Sequence, residues 1–303
     1  MTQNEAFMEH APIINEKRCT RCGRCVEVCP KGIVVLRDDA VAYGRAGCMR
    51  CAHCYAVCAF DAISFDPPLV APSFTSFPYA EEMVQPGKVR PGDLVNLLRS
   101  RRSVRRYAER PVPDEAMADL VAFAVTAPSG SNCQRWEFTV VNGRAKVEAL
   151  GRSIGDFFTR LNRLVANPIV RALSVLVAGM KLVRYYRDHY ASVAWGLEQA
   201  AAGRDPLFHG APGLIIIHGR TDGSTPLEDA QYAGYNICLL GHALGLGSCF
   251  IGYAVEVLNR DTKLRRSLEI PPGNRVLAVI ALGYPAVRFL KPALRNDYTV
   301  QWL

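Results

Sequence analysis

The stretch "CTRCGRCVEVCP" (Cys19–Pro30) decides how the first part of this chain folds. It recurs 29 residues later, in altered form, as "CMRCAHCYAVCAF" (Cys48–Phe60). Each copy spaces four cysteines as C-x2-C-x2-C-x3-C. Because cysteine thiolates are soft ligands that select iron–sulfur clusters, zinc or copper(I), the two tetrads indicate a metal-binding module built from an internal repeat.

The spacing distinguishes between these metals. Zinc sites usually pair short C-x2-4-C units that lie far apart, and two zinc knuckles are the alternative here. Three cysteines at successive two-residue gaps instead wrap one cubane, and a fourth reaches across to a second cluster. The sequence therefore predicts two [4Fe–4S] clusters with crossed ligands. The predicted sets are Cys19, Cys22, Cys25 and Cys58 for one cluster, and Cys48, Cys51, Cys54 and Cys29 for the other.

Each tetrad leads into a short apolar run, in "CPKGIVVL" and "CAFDAISF". With these runs, residues 13–66 resemble the two-[4Fe–4S] module of bacterial ferredoxins. Ala59 departs from the pattern, since a proline is usual there, but proline at that position shapes the turn and binds no iron. We interpret His53, inside the second loop, as a surface residue, because cysteines already fill all four ligand positions.

Composition limits the class of protein. The chain has 303 residues, half of them hydrophobic, which is enough for two ordinary domains. Eight of the eleven cysteines fall into the tetrads, which points to metal ligation in a reducing compartment. No signal peptide is visible at the polar N-terminus. The most apolar segment, Asn167–Val183, is interrupted by Arg171 and Lys181, so we expect no transmembrane helix and a cytoplasmic location.

The net charge of +8 lies downstream of residue 66. It is concentrated at Arg99–Arg106 and at Arg152–Arg187, where seven basic residues meet one acid. Nucleic-acid binding is disfavoured because no DNA-binding motif is evident and an arginine cluster can hold a bound phosphate. The segment 152–187 is most simply a solvated helical insert. Its charge also suits an anionic substrate, cofactor or partner, or peripheral contact with membrane lipid.

The sequence predicts a ferredoxin-like domain at 1–66, a Pro-rich extended linker at 67–93 and a second domain at 94–303. In the second domain Asp93 and Pro113–Asp114 are expected to begin helices, and Ala230–Leu244 reads as a long buried helix. The segments "EFTVVNG", "GLIIIHG" and "RVLAVIALGYP" read as strands. Helices and strands do not alternate regularly, so the predicted class is α+β.

Four motifs then carry a second resemblance. In order, "RRSVRRY", "APSGSNCQRWEF", "GLGSCFIG" and "ALGYP" make residues 94–303 similar to the FMN-dependent nitroreductase family. The resemblance implies an α+β FMN-binding fold and an intertwined homodimer with FMN at the subunit interface. It also implies a small-molecule substrate.

The FMN phosphate favours arginine and hydroxyl donors. By residue type, Arg101, Arg102, Ser103 and Arg105 offer them. The resemblance implies that Arg101 and Ser103, with Lys291 and Arg295, hold the phosphate and that Arg105 lies nearer the flavin. The resemblance also assigns flavin contacts to Ser129, Asn132, Gln134, Ile251 and Gly252. In the family a turn like "GLGSCFIG" directs backbone N–H groups at flavin N5, and Ile251 and Gly252 are the matching positions. Arg135 stands where a proline is usual, which changes the shape of the neighbouring loop.

No acid–base pair has motif support, so the catalytic residues stay unassigned. We interpret Cys249 as a packed thiol, and His209 and His218 as structural. The expected protein is an iron–sulfur flavoprotein oxidoreductase that passes electrons between two [4Fe–4S] clusters and FMN. Its acceptor would be a small nitroaromatic, quinone-like or other organic compound, and its donor a ferredoxin or NAD(P)H. The alternatives are a redox carrier or sensor without a substrate, or an atypical reaction such as dehalogenation or dehydrogenation.

Overall fold

The computed structural model describes residues 11–45 and 47–303, which form two compact units. The smaller unit takes in the described residues up to Pro72 together with Ser129–Gln134. The larger unit comprises Ser73–Pro128 and Arg135–Leu303, so the division falls inside the segment predicted as a linker. The first ten residues, where the predicted 1–66 domain begins and where no signal peptide is predicted, lie outside the described residues.

The smaller unit contains two short antiparallel strand pairs and two single-turn helices. The paired strands are β1 (Ile13–Ile14) with β4 (Ile63–Ser64), and β2 (Val34–Arg37) with β3 (Ala40–Tyr43). The helices are α1 (Arg24–Glu27) and α2 (His53–Ala56), which occupy equivalent positions in the two sequence copies.

The backbone of the smaller unit repeats as the sequence does. Left-handed residues recur at equivalent positions in the two copies, namely Arg21 and Arg50, Gly23 and Ala52, and Gly32 and Asp61. Such φ values are unfavourable for side chains other than glycine, so their recurrence shows that the same turn geometry is imposed twice.

The larger unit consists of nine described helices and a four-stranded sheet. The strands are β5 (Trp136–Asn142), β6 (Gly213–Gly219), β7 (Gly247–Phe250) and β8 (Arg275–Gly283). The helices are α3 (Pro91–Ser100), α4 (Asp114–Ala124), α5 (Arg144–Ala166), α6 (Pro168–Ala178), α7 (Lys181–Asp188), α8 (Tyr190–Ala201), α9 (Pro226–Ala243), α10 (Gly252–Arg260) and α11 (Thr262–Ser267).

The sheet is antiparallel throughout, in the order β5-β6-β8-β7, and helices cover both of its faces. Every residue of β6 is buried. Leu214 and Ile216 pack into the core on one face, and Ile215 and Ile217 into the core on the other. This period-two alternation explains why the strand reads as an unbroken apolar run. The three predicted strands and the α+β class are confirmed.

Two helices begin earlier than predicted, for the same reason. α3 begins at Pro91 with Arg90 as its N-cap, so Asp93 lies in the first turn, where it pairs with Arg90 Nε at 2.7 Å. α9 begins at Pro226 rather than Ala230. Proline suits the first helical position because its φ is already helical and its missing N–H has no acceptor there. Among the described residues, no helix has both the length and the apolar character that a membrane crossing requires.

The buried carboxylate of Asp119, on α4, holds the segment that follows Ser73. It accepts hydrogen bonds from the N–H groups of Thr75 (3.0 Å) and Ser76 (2.7 Å) and from the Ser76 hydroxyl (2.6 Å). Burial raises the pKa of Asp119, but the bonds from Ser76 and Thr75 outweigh it and leave the pKa lowered. The carboxylate thus ties this part of the Pro-rich segment to the larger unit.

We expect Asp119→Ala to destabilise the protein by about 2–3 kcal/mol, because several donors lose a charged acceptor. Chemical denaturation at pH 7 measures the loss, with the exposed Glu115→Ala on the same helix as control. Because the folded pKa of Asp119 is lowered, its contribution is complete at neutral pH and is lost as the pH falls through that pKa. The two variants should therefore converge in acid. Equal stability at pH 7 would contradict the role of Asp119.

Candidate functional site

The eight tetrad cysteines line two small cavities of the smaller unit. One cavity is lined by Cys19, Cys22, Cys25 and Cys58. The other is lined by Cys29, Cys48, Cys51 and Cys54. The fold therefore groups the thiols into the two crossed sets that the spacing predicts.

The donor geometry is compatible with cubane clusters. In the described part of the chain, no three Cys, His, Asp or Glu side chains are close enough to share one metal ion. A cubane needs no such closeness, because each thiolate binds a different iron atom. His53 is exposed, and its Nδ1 lies 3.2 Å from the Cys51 carbonyl, which agrees with a surface role.

Backbone N–H groups point at the thiol sulfurs in a repeating way. Ile33 N–H donates to Cys29 Sγ at 3.2 Å, and the equivalent Ala62 N–H donates to Cys58 Sγ at 3.4 Å. Hydrogen bonds of this kind help to set the reduction potential of a bound cluster. The smaller unit therefore has thiols suited to bind clusters and backbone donors suited to tune their potentials.

The two sets of thiols differ in exposure. Cys22 is exposed, and a hydrogen bond from the backbone of Arg24 lowers its pKa. Cys54 is buried, and burial raises the pKa of its thiol to about 11. Metal binding must displace this proton from Cys54. The first set is thus the more exposed of the two.

The loop Ser129–Gln134 belongs to the smaller unit, although its chain neighbours belong to the larger one. Asn132 Nδ2 donates at 3.0 Å to the carbonyls of both Met49 and Arg50, inside the second cysteine loop. Its Oδ1 accepts from Gln134 Nε2 at 3.0 Å, and Ser129 Oγ accepts from Gln134 N–H at 3.1 Å. The predicted flavin contacts of these three residues stay predictions.

In the larger unit, the predicted phosphate-binding segment lies along β7. Ser103 forms a β-bridge with Ser248, and Val104 N–H donates to the Ser248 carbonyl at 3.0 Å. The Arg101 guanidinium lies 5.6 Å from the Tyr235 ring centroid, and its Nε is buried without a hydrogen-bond partner in the described residues. A buried donor left unpaired is costly, and a phosphate oxygen is a suitable acceptor for it.

The remaining predicted phosphate ligands come close to this segment in the fold. Arg102 lies 5.4 Å from the ring centroid of Phe289, near the C-terminal end of the chain. Ala293 N–H donates to the Arg99 carbonyl at 3.3 Å, and the exposed Lys291 and Arg295 flank Ala293. The C-terminal segment therefore runs beside the end of α3, where Arg101 and Arg102 lie.

A cavity of about 860 Å³ in the larger unit contains the other predicted flavin residues, Arg105, Ile251 and Gly252. Its size is in the range that organic cofactors and ligands occupy. Ile251 N–H donates to the Val279 carbonyl at 2.8 Å, so this N–H already has an acceptor within the protein, and the flavin contact of Ile251 stays a prediction. Gly252 is the first residue of α10, where an N–H has no intrahelical acceptor. Of the two, Gly252 has the N–H that a cofactor could use.

Sequence reasoning missed most of the cavity wall, which comes from α5, α7, α10 and the loops before and after α8. The added residues with aromatic or charged side chains are Phe157, Phe158, Lys181, Arg184, Tyr185, His189, His209, Tyr253, Glu256 and Arg260. They follow no motif, because helices distant in the sequence bring them together.

Two ionisable groups of the cavity are held in their neutral forms. Burial raises the pKa of Tyr185 to about 12, and its hydroxyl donates to Asn162 Oδ1 at 2.7 Å. Burial, aided by Arg105, lowers the pKa of His209. At neutral pH, His209 therefore adds no positive charge to the cavity.

Cys249 and His218 agree with their structural interpretations. Burial raises the pKa of the Cys249 thiol, so it is a poor nucleophile at neutral pH. The two ring nitrogens of buried His218 lie 3.1 Å from Thr139 Oγ1 and 3.0 Å from Asn274 Nδ2. His218 therefore joins strands rather than serving the cavity.

Comparison with known proteins identifies both parts of the chain. The model of the nitroreductase family matches residues 98–284, and that of the 4Fe–4S dicluster domain matches residues 11–59. A 4-nitrobenzoate reductase from Nocardioides sp. (strain LMS-CY) is 30% identical over 203 residues, which cover 62% of this chain and 78% of that protein. An iodotyrosine deiodinase from Nematostella vectensis is 25% identical over 223 residues, which cover 71% and 74%.

The fold has a counterpart among solved structures. A nitroreductase with bound FMN from Bacteroides fragilis NCTC 9343 superimposes with a TM-score of 0.53 at 22% identity, covering 70% of this chain and 98% of that one. At this identity the match establishes a shared fold.

We expect Gly247→Ala to weaken FMN binding. A Cβ at Gly247 would lie 2.5 Å from Val104 Cγ2 and 2.7 Å from Val104 Cβ. Because valine is stiff at χ1, Val104 and the Arg101–Arg105 segment must shift together. Overpacking costs about 1–3 kcal/mol, which corresponds to roughly a tenfold rise in the FMN dissociation constant. Fluorescence titration of FMN into apoprotein measures it.

The matched control is Gly273→Ala, since a Cβ there meets nothing within 4 Å. It should bind FMN as the unsubstituted protein does. A folded Gly247→Ala protein with unchanged FMN affinity would show that the segment on β7 does not hold the phosphate.

Proposed function

Since this chain belongs to the nitroreductase family and carries a 4Fe–4S dicluster domain, we propose that it is an FMN-dependent iron–sulfur oxidoreductase. In this proposal it binds two [4Fe–4S] clusters and passes electrons between them and FMN, which reduces a small organic acceptor. The observation that carries the proposal is the presence, in one chain, of two crossed thiol tetrads and a flavin-sized cavity. When bound, FMN supplies the step between one-electron carriers and a two-electron acceptor.

The exposure of the thiols supports an order for the clusters. The set that contains exposed Cys22 would exchange electrons with an external donor such as a ferredoxin. The set that contains buried Cys54 is braced by Asn132, through the carbonyls of Met49 and Arg50. Asn132 also belongs to a loop predicted to contact the flavin. We therefore propose that electrons enter at the first cluster and pass to the second before they reach FMN. NAD(P)H is the other candidate donor.

The cavity favours an aromatic acceptor that carries a negative charge. Phe158, Tyr185 and Tyr253 supply aromatic walls. Lys181 and Arg184 add positive charge, whereas the acid among the described wall residues, Glu256, is paired with Arg260 at 2.8 Å. One relative is a reductase of 4-nitrobenzoate, which is such a compound.

The similarity to an iodotyrosine deiodinase supports reductive dehalogenation of an aromatic acid as a second candidate function. The same cavity would bind the halogenated substrate. Analysis of the products distinguishes the two functions, since only dehalogenation releases halide. A carrier or sensor without a substrate predicts a filled flavin pocket, and the cavity of about 860 Å³ counts against it.

We also propose that the protein is a homodimer. Large apolar side chains are exposed on α9, where Tyr232 is 53% exposed, and along the C-terminal segment, where Leu294 is 88% and Trp302 90% exposed. A second copy that covers these residues would remove the cost of exposing them to water.

We predict that Cys25→Ser will separate the clusters from the flavin. The anaerobically purified protein should contain about eight irons and one FMN per chain, and Cys25→Ser should lose about half of the iron while keeping FMN. Stopped-flow absorbance then measures the rate at which a one-electron donor reduces FMN. In Cys25→Ser this rate should fall to that of a Cys25→Ser/Cys54→Ser protein. Reduction of the flavin through the clusters is lost in both proteins.

Cys238→Ala is the control, since Cys238 is buried in the core and lies outside both tetrads. It should retain its iron and its rate of flavin reduction. If Cys25→Ser reduces its flavin as fast as the unsubstituted protein does, the clusters do not supply the flavin. Zinc, or iron without FMN, would refute the proposed function altogether.

We predict that Lys181→Gln and Arg184→Gln will each raise the KM for 4-nitrobenzoate about three- to fivefold, as expected for a partly screened ion pair. The KM for nitrobenzene, which lacks the carboxylate, should not change. Steady-state assays with both acceptors compare each variant with the unsubstituted protein. Calorimetry of benzoate binding makes the same comparison without turnover. Equal effects on the charged and neutral acceptors would contradict charge recognition.

A further inference from the structure

A stretch of the larger unit combines positive charge with exposed apolar surface. From Phe157 to Arg187 the sequence contains six basic residues and no acid. This stretch forms the end of α5, all of α6 and most of α7. Such a composition is unusual for a helical surface that faces only water, where charges of both signs are normally mixed.

The helix α6 presents an apolar stripe, which we define as Ile169, Leu173 and Leu176. Their exposed fractions are 67%, 59% and 84%. Spacings of four and three residues place them on one side of the helix. Leu164, at the end of α5, and Met180, before α7, are also about half exposed, at 47% and 48%. The stripe is therefore part of a wider apolar surface.

The charge on α6 is directed away from this stripe. Arg171, the charged residue of the helix, lies on its opposite side and donates to the carbonyls of Val165 and Ala166 at the end of α5. Its guanidinium also lies 3.8 Å from the ring centroid of Tyr186. The stripe is thus free of charge. The exposed Arg160 and Arg163 precede it in the sequence, near the end of α5.

We propose that this helical segment binds the surface of an anionic membrane. Ile169, Leu173 and Leu176 would enter the boundary between headgroups and acyl chains, and the basic residues would pair with anionic headgroups. An apolar face bordered by Lys and Arg is what a helix needs to lie in that interface. At 11 residues, α6 is too short to cross a bilayer. The cytoplasmic leaflet, which is negatively charged, is the matching surface.

A second copy of the chain is a less suitable occupant. A two-fold contact centred on the stripe would bring the same acid-free segment of each copy together, so that basic residues face basic residues. Like charges at such a contact oppose association, whereas anionic lipid neutralises them. Charge complementarity therefore favours the membrane. This inference does not depend on the proposed reaction.

The test is co-sedimentation of the full-length holoprotein with sucrose-loaded vesicles. One set contains phosphatidylcholine with about one-third phosphatidylglycerol, and the other contains phosphatidylcholine alone. We expect binding to the anionic vesicles, at least about tenfold weaker binding to the neutral ones, and release by high salt. No pelleting with anionic vesicles, or equal binding to both sets, would overturn the proposal.

Two variants then locate the contact. Leu173→Ser/Leu176→Ser should weaken binding to anionic vesicles about tenfold, because two inserted side chains are lost. Val70→Ser, whose side chain is 86% exposed in the smaller unit, should bind as the unsubstituted protein does. Undiminished binding by the double variant would overturn the proposal. So would a mass measured by light scattering that falls by half in the double variant, since the stripe would then be a contact between copies.

Discussion

The burial of strand β6 on both faces is the constraint on which the larger unit depends. With Leu214 and Ile216 committed to one core and Ile215 and Ile217 to the other, no ligand can reach the sheet from above or below. Several of the predicted flavin-binding residues lie instead where the backbone leaves the sheet. That place is the end of edge strand β7, which leads through Ile251 into α10 and is flanked by the Arg101–Arg105 segment.

The smaller unit is governed by a different constraint. Its core is small, and its loops contain left-handed residues other than glycine, such as Arg21, Arg50 and Ala52. Apolar burial alone compensates poorly for such strain in so small a unit. Bonds between thiolates and iron would compensate for it, because the free energy of metal binding becomes free energy of folding. The same turns that are costly in the bare polypeptide are those that direct four sulfurs toward one cavity.

Whether a structural feature can be predicted from the sequence depends on how many of its determinants lie close together in the chain. The tetrads and the buried strands were readable, because ligand spacing and period-two burial act within a few residues. Asp93 was misread as an N-cap because a proline two residues earlier begins the helix instead. The sequence did not reveal the cavity wall, the hydrogen bonds of Asp119 with Thr75 and Ser76, or the contact of Asn132 with the second cysteine loop. Each joins segments that only tertiary packing brings together.

The α6–α7 segment contributes to both proposed binding surfaces, the membrane face and the cavity. One side of it presents Leu173 and Leu176 outward, while Lys181 and Arg184 line the cavity. A membrane that neutralised the outer basic residues would leave Lys181 and Arg184 as the local source of positive potential at the cavity. In these two proposals, the acid-free segment contributes one group of basic residues to the lipid surface and another, Lys181 and Arg184, to the acceptor.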